Sequence, residues 1–197
     1  IKELVSPEDI ATIEDAAPIT FNPKALPNQS RTLHEVSTFY TLAEDHIEVP
    51  KEFHAAVLYA AERKINMLKY PFYWTPETEH NFHRRLIVPC TWNNQIVGYA
   101  ARAVDSIIKP KYYSEYEPNY VFNIDQQLKD SKFVIVVEGP FDAMAVDGVA
   151  VLSNECSEIQ ADIIDGLGKE VIVVPDAVQI CDELEVNFNG RFGTVIS

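Results

Sequence analysis

Short apolar runs and helical patterns alternate through the last third of the chain. Phe133-Val134-Ile135-Val136-Val137 is an uninterrupted apolar run rich in β-branched residues, which is typical of a strand buried on both faces of a parallel sheet. Two further apolar runs occupy residues 149–152 and 170–174, and a helical segment separates each run from the next. This β-α-β-α-β order predicts an α/β fold with a Rossmann-like parallel sheet.

Turn and capping residues mark the predicted helices. Gly139 follows the first strand and allows a sharp turn, and Pro140 suits the first turn of a helix. Ser157 and Gln160 have the spacing of a capping box, which predicts a second helix running to about Leu167. Both signals place a helix between consecutive strands of the predicted sheet.

Acidic residues stand at the carboxyl ends of two of the three strands. Glu138 directly follows the first run, Asp142 lies one helical turn later, and Asp176 follows the third run. Ligands of such sheets bind beyond the carboxyl ends of the strands, so we expect the three carboxylates to converge. Their oxygens are hard ligands and predict a site for Mg²⁺ or Mn²⁺. The alternative is structural, with Asp142 favoured by the helix dipole and Glu138 a solvated strand end.

A different pattern precedes the predicted parallel sheet. Two extended runs, residues 84–92 and 95–102, are joined by Asn93-Asn94, which predicts a β-hairpin with a tight turn. Farther upstream, Pro50 is placed to open a helix. Apolar residues recur there at helical spacing: Phe53, Val57, Leu58, Ala61 and Ile65.

These patterns divide the chain into three segments. Residues 1–50 contain five prolines and are predicted to be linker-like. Residues 51–130 are predicted to form a smaller mixed α+β subdomain, and residues 131–197 the α/β domain.

Charge is unevenly distributed along the chain. The formal net charge is -14, yet residues 84–112 carry five basic residues and a single acid, Asp105. Such a basic island can face nucleic-acid or nucleotide phosphates, because cationic contacts supply most non-specific affinity. The alternative is that these side chains cover a sheet face and pair with nearby acids. The candidate phosphate-binding residues are Arg84, Arg85, Arg102, Lys109 and Lys111.

Several classes of protein are not encoded by this sequence. No apolar run approaches the length needed to span a membrane. Cys90, Cys156 and Cys181 are isolated, which excludes a zinc ribbon or a disulfide framework and favours buried thiols in a reducing compartment. No phosphate-binding loop of the Gly-x-x-x-x-Gly-Lys-Ser/Thr type is present, so a helicase motor would lie outside this chain.

The motifs resemble those of Toprim-domain DNA primases of phages and bacteria. Glu138-Gly139-x-x-Asp142 after an apolar strand, with Pro175-Asp176 closing a later strand, is similar to the Toprim metal site. The preceding hairpin and the element Pro110-Lys111-Tyr112 are similar to the amino-terminal half of the primase RNA-polymerase core, which topoisomerases lack. The similarity is strongest over residues 84–176; outside the Toprim motif it rests on Arg85, Pro89, Gly98, Arg102, Pro110, Lys111 and Tyr112.

The resemblance implies an activity, a cofactor and partners. It implies Mg²⁺-dependent synthesis of RNA primers from ribonucleotides on single-stranded DNA, with Glu138 as the catalytic residue and Glu138, Asp142 and Asp176 as metal ligands. It also implies separate zinc-binding and helicase modules, no zinc in this chain, and a location in the cytoplasm of a bacterial or phage-infected cell. The alternatives are a non-catalytic Toprim module that binds metal or a partner, and a Toprim nuclease or topoisomerase-like enzyme.

One position departs from the family pattern. Toprim domains carry Asp-x-Asp on the later strand, whereas Val178 stands where the second aspartate belongs. Three explanations remain: the domain is degenerate, Asp182 or Glu183 replaces the missing ligand, or a segment is absent after Asp176. Because one metal ligand is missing, we expect this chain alone to make no detectable primers.

Overall fold

The computed structural model describes residues 18–43, 47–175 and 192–194, which form two sheets. The first sheet is antiparallel, and its strands lie in chain order: β1 (Arg31–Thr32), β2 (Tyr73–Trp74), β3 (Arg85–Trp92), β4 (Gln95–Ala103) and β5 (Tyr112–Glu115). Two helices, α1 (Leu33–Leu42) and α2 (Lys51–Glu62), separate β1 from β2. A short 3₁₀ segment, Glu79–Arg84, leads into β3.

The second sheet is parallel and follows the first along the chain. Its strands are β6 (Phe133–Val137), β7 (Val149–Ala150), β8 (Glu170–Val173) and β9 (Phe192–Thr194), in the order β7-β6-β8-β9. Helix α3 (Pro140–Val146) joins β6 to β7, and α4 (Glu158–Asp165) joins β7 to β8. A parallel α/β sheet preceded by a mixed α+β region is the predicted fold class, which is confirmed.

The β3–β4 hairpin forms as the sequence predicts. Asn93 and Asn94 have φ angles of 51° and 60°, and a tight hairpin turn of type I′ requires positive φ at both central residues. Gly98 in β4 is required for a different reason. A Cβ there would collide with the carbonyl oxygen of Glu115, so glycine lets the chain at the end of β5 lie close against β4.

The predicted helix starts in the second half are confirmed. Pro140 is the first residue of α3. At the start of α4, the Ser157 hydroxyl accepts a hydrogen bond from the Gln160 backbone N–H at 3.2 Å, and the Gln160 side chain accepts one from the Ser157 N–H at 3.1 Å. This reciprocal pair is a capping box.

One strand and one helix in this half end earlier in the chain than the sequence predicts. Strand β7 ends at Ala150 rather than at residue 152, because Leu152 has a φ of 61° that turns the chain out of the strand. Helix α4 ends at Asp165 rather than near Leu167, and Gly166 is its C-cap.

Helix α1 lies within residues 1–50, the segment predicted to be linker-like. Its N-cap is Thr32, whose hydroxyl accepts from the Glu35 backbone N–H at 3.1 Å, while the Glu35 carboxylate accepts from the Thr32 N–H at 2.8 Å. Leu33 and Val36 of α1 are buried. Part of residues 1–50 is therefore integral to the fold, and the Thr-x-x-Glu spacing was its sequence signal.

One apolar core joins the two sheets. Leu86 and Val97 from the antiparallel sheet lie in the same buried cluster as Val137 and Phe141 from the parallel domain. The rings of Phe72 and Phe141 stack with their centroids 6.0 Å apart. This shared core sets the antiparallel sheet beside the carboxyl end of β6.

The prediction that the cysteines are buried is confirmed for two of the three. Cys90 and Cys156 are both buried, and burial raises the pKa of each thiol to about 12. They therefore remain protonated and unreactive near neutral pH. Cys181 lies outside the described residues.

A hydrogen-bond network ties the C-terminal end of α3 to the turn before β2. Asp147, the C-cap of α3, accepts from Lys69 Nζ at 2.6 Å and from the Tyr70 hydroxyl at 2.7 Å. The hydrogen bond from Lys69 lowers the pKa of Asp147. The side-chain amide of Asn123 donates hydrogen bonds to the Tyr70 hydroxyl at 3.3 Å and to the Gly148 carbonyl oxygen at 2.7 Å.

Candidate active site

A polar cleft of about 370 Å³ lies where the antiparallel sheet meets the carboxyl end of β6. Its acidic side chains come from the β6–α3 turn. Its basic side chains come from β4, from the residue before β5 and from the C-terminal end of α2. Its charged lining residues are Arg63, Arg102, Lys111, Glu138 and Asp142. The remaining polar side chains of the lining belong to Tyr112, Ser153 and Asn154.

The β6–α3 turn presents two carboxylates to this cleft. Glu138 directly follows β6, and Asp142 lies in the first turn of α3. Gly139 between them has a φ of -106° and a ψ of 151°, which any residue can adopt. Glycine matters here because a Cβ would lie 2.6 Å from Oδ2 of Asp142. The absent side chain therefore leaves room for Asp142 to fold back over the turn.

The two acids suit a hard divalent cation. Mg²⁺ usually keeps several waters and is held by one or two carboxylates together with substrate phosphates. Glu138 and Asp142 provide such carboxylates in one cleft. Among the residues that the structure describes, no group of three or more His, Cys, Asp or Glu side chains could hold a metal. Asp176, the third predicted ligand, lies outside them, as do Val178, Asp182 and Glu183.

Aromatic rings hold the two arginines of the cleft. The guanidinium carbon of Arg102 lies 4.9 Å from the ring centroid of Tyr112 and 5.7 Å from that of Tyr59. The guanidinium carbon of Arg63 lies 5.1 Å from the Tyr59 ring and 5.6 Å from the Phe141 ring. These distances are within cation–π range. We call this group of Tyr59, Arg63, Arg102, Tyr112 and Phe141 the arginine–aromatic cluster.

Tyr112 forms part of the cleft wall, and both burial and a neighbouring charge affect its pKa. Burial raises the pKa of its hydroxyl, and the neighbouring Arg102 guanidinium opposes that shift only in part. Lys111, the adjacent residue, is exposed, and its Nζ lies 5.9 Å from the Tyr112 ring centroid. The wall thus combines an apolar ring surface with two cations.

The structure divides the five predicted phosphate-binding residues into separate groups. Arg102 and Lys111 line the cleft. Arg84 lies outside it and forms an ion pair with Asp105 at 3.3 Å. Lys109 is exposed and also lies outside the cleft lining.

Arg85 has a different environment from the other four. It is only 1% exposed, and its guanidinium donates to the carbonyl oxygens of Ala101 at 3.1 Å and Pro110 at 2.9 Å, with a longer contact to that of Lys111 at 3.5 Å. Burial lowers the pKa of Arg85. The charge pattern of the sequence predicts that Arg85 is one of the phosphate-facing cations. Because its charge is enclosed by main-chain carbonyls, we assign Arg85 to the fold instead.

Four polar residues of this region were not predicted from the sequence. Ser153 and Asn154 come from the loop after β7 and carried no recognisable signal. Tyr59 and Arg63 did carry one, since residues four apart on a helix lie on the same face. Arg63 caps the C-terminal end of α2, one turn beyond Tyr59.

No protein-family model matches the sequence, and no curated protein matches it. Solved structures do match the fold. The DnaG catalytic core superposes with a TM-score of 0.60 at 14% identity, covering 84% of this chain and 71% of that one. A DnaG primase catalytic domain bound to single-stranded DNA gives the same TM-score and identity, covering 84% and 72%.

A third match comes from Mycobacterium tuberculosis. The RNA polymerase domain of its primase DnaG superposes with a TM-score of 0.62 at 19% identity, covering 84% of this chain and 74% of that one. At such identities the match is one of fold. The chain has the fold of the catalytic core of DnaG primases.

Proposed function

We propose that this chain is the RNA-polymerase core of a DNA primase, which joins ribonucleotides into primers on single-stranded DNA. The observation that carries the proposal is the cleft, where two carboxylates face three cations within a primase-core fold. A nucleoside triphosphate with its divalent cation needs both kinds of group in one place. One of the similar structures is a primase domain bound to single-stranded DNA, which supports the choice of template.

Glu138 and Asp142 are the proposed metal ligands, with Asp176 as the third. A Mg²⁺ or Mn²⁺ ion bound there would neutralise triphosphate charge and lower the pKa of the attacking 3′-hydroxyl. Glu138 stands at the end of β6, inside the cleft, and is the proposed catalytic residue. It would orient the hydroxyl and accept its proton.

The cations of the cleft are proposed to hold the triphosphate. Guanidinium groups match phosphate oxygens with two parallel hydrogen bonds, so Arg63 and Arg102 would grip the phosphates, with Lys111 as a further point charge. Arg84 and Lys109 lie outside the cleft lining and are proposed to contact the template backbone. These backbone contacts would supply affinity without sequence preference.

The proposal is tested by nucleotide binding and by incorporation. A fluorescent ATP analogue should bind the chain in millimolar Mn²⁺, and Glu138→Gln should reduce that binding at least about tenfold, because Glu138 would be one of the carboxylates that hold the metal. Glu158→Gln, an exposed change at the start of α4, is the matched control and should bind as the parent does. Incorporation of labelled ribonucleotides on single-stranded DNA is expected from a longer protein that contains this chain, and Glu138→Gln should abolish it.

Other outcomes would select the alternative functions. Mn²⁺ binding without nucleotide or DNA binding would favour a non-catalytic Toprim module, which the valine at position 178 makes a specific alternative. Metal-dependent cleavage of DNA would favour a nuclease. Nucleotide binding that Glu138→Gln leaves unchanged would refute the proposed metal site.

A further inference from the structure

A second cavity, of about 310 Å³, adjoins the cleft. Leu152 and Ser153 line both spaces, so the loop after β7 is their shared border. Most of the other lining residues belong to residues 116–120, which follow β5, and to residues 155–157, which lead into α4. We call this space the Tyr116 cavity.

The Tyr116 cavity and the cleft differ in charge. The cleft is lined by three cations and two acids. Among the described residues that line the Tyr116 cavity, the charged ones are Glu117 and Glu155, and there is no cation. The Glu117 carboxylate accepts a hydrogen bond from the side-chain amide of Asn22 at 3.0 Å. Acids without cations repel phosphate, so an uncharged part of a ligand suits this cavity.

Tyr116 supplies an aromatic ring to the cavity. The neighbouring Tyr120 is 1% exposed, and its ring packs edge-to-face against Phe21 with the centroids 5.6 Å apart. Tyr116 is half-buried, and its ring centroid lies 6.2 Å from that of Tyr120. Burial raises the pKa of the Tyr116 hydroxyl, so the side chain is neutral near neutral pH. A half-buried neutral ring is a surface on which a planar group can stack.

Two backbone features place the walls of the cavity. A Cβ at Gly98 would lie 2.9 Å from both Cα and Cβ of Tyr116, so glycine in β4 lets Tyr116 lie directly against the sheet. Leu152, at the border with the cleft, has a φ of 61°, which is unfavourable for a bulky side chain. Residues held in such conformations cluster at ligand-binding sites.

The two adjoining spaces match the two parts of a nucleotide. The cleft offers cations and acids to the triphosphate and its metal, and the Tyr116 cavity offers a ring to the uncharged, planar base. Asn119 also lines the cavity, and its side-chain amide can both donate to and accept from the edge of a base. A nucleotide with its phosphates in the cleft would extend past Leu152 and Ser153 to reach this ring.

We propose that the Tyr116 cavity is the subsite for the base of the nucleotide whose triphosphate binds in the cleft, with Tyr116 as the stacking surface. This inference rests on the proposed function, since it extends the same site. Every base has a face that can stack on an aromatic ring, so the subsite accepts each ribonucleotide. The choice among ribonucleotides is then left to pairing with the template.

Calorimetric titrations with ATP and with inorganic tripolyphosphate, both in millimolar Mg²⁺, test this inference, because tripolyphosphate has the phosphates without the base. Tyr116→Leu should weaken ATP binding about tenfold and leave tripolyphosphate binding unchanged. Tyr116→Phe is the matched control, because it retains the ring, and it should bind both ligands as the parent does. Tyr113→Leu removes a half-buried tyrosine of β5 that lines neither space, and it should also bind as the parent does.

Circular dichroism melts show whether each variant is folded, and Tyr116→Met replaces Tyr116→Leu if the leucine variant is not. A folded non-aromatic variant that binds ATP like the parent would overturn the inference, as would equal losses for ATP and tripolyphosphate. A loss of affinity for oligo(dT) with none for ATP would assign the ring to a template base and would also overturn it.

The same variants separate this inference from the proposed function. Primer synthesis by a longer protein in which Tyr116→Leu leaves the KM for ATP unchanged would refute the inference alone. ATP binding that depends on Tyr116, in a longer protein that makes no primers, would refute the proposed function alone.

Discussion

Replacing Arg85 with methionine removes a guanidinium group that lies inside the fold, where its side chain is 1% exposed. The change leaves the carbonyl oxygens of Ala101 and Pro110 without their donors at 3.1 Å and 2.9 Å. Methionine has a similar length, so it fills much of the same space without supplying a donor. We expect a large loss of stability and no specific loss of phosphate affinity in the folded fraction.

The size of this loss follows from the contacts. A hydrogen bond from a charged donor contributes about 1.5–3 kcal/mol, and the two short bonds of Arg85 therefore contribute about 3–6 kcal/mol. The contact to the Lys111 carbonyl at 3.5 Å adds little. Arg85 Nε is buried and has no partner in the described part of the chain, which offsets part of the gain. The net expected loss is about 3–5 kcal/mol, a large fraction of the 5–15 kcal/mol typical of a folded protein.

Urea denaturation followed by tryptophan fluorescence measures this loss. Arg84→Met is the control, since Arg84 is the adjacent residue and its ion pair with Asp105 is exposed to solvent. Exposed pairs contribute about 0–1 kcal/mol, so this variant should unfold close to the parent. The structural assignment of Arg85 would be refuted if Arg85→Met had the same free energy of unfolding as the parent and nevertheless lost affinity for single-stranded DNA.

Three further outcomes are expected. Gly139→Ala should displace Asp142 and weaken Mn²⁺ binding several-fold in a calorimetric titration, while thermal melts change little because alanine tolerates this backbone conformation. Asp147→Asn should reduce stability by about 0.2–1 kcal/mol at pH 7. Because the Asp147 pKa is lowered on folding, its contribution is present above its unfolded pKa of about 4, and urea titrations should show the difference shrinking as pH falls below that value. Ser157→Ala should cost about 1 kcal/mol in the same assay, and no loss would show that the N-cap hydrogen bond contributes nothing.

The sequence predicted those parts of the fold where local signals and burial agree. Strand β6 follows from five apolar residues, and the hairpin turn at Asn93 and Asn94 follows from the tolerance of asparagine for positive φ. The predicted apolar face of helix α2 is right only in part. Phe53 is buried and Val57 packs against the core, as predicted, but Leu58 is 48% exposed, and the other buried residues of the helix are Ala56 and Ala60. Small side chains let a helix lie close to its neighbours, and hydrophobicity alone does not show this.

The candidate site was predictable for its acids and less so for its cations. Glu138 and Asp142 are fixed by a strand end and a helix start, which are local features. Whether an arginine faces solvent depends on contacts that are distant in sequence. Arg85 is enclosed by carbonyls of residues 101 and 110, which only the folded sheet brings near it. Arg63 joins the cleft from a helix about forty residues earlier than Arg102, so no spacing rule connects the two.

Helix α3 has one end in the cleft and the other in the network at Asp147. Its seven residues span about 10 Å. Asp142 lies in the first turn, and Asp147 at the other end accepts hydrogen bonds from Lys69 at 2.6 Å and from Tyr70 at 2.7 Å. The position of a proposed metal ligand is therefore set at both ends of the helix, and a displacement of residues 69–70 would move the carboxylate of Asp142 relative to Glu138.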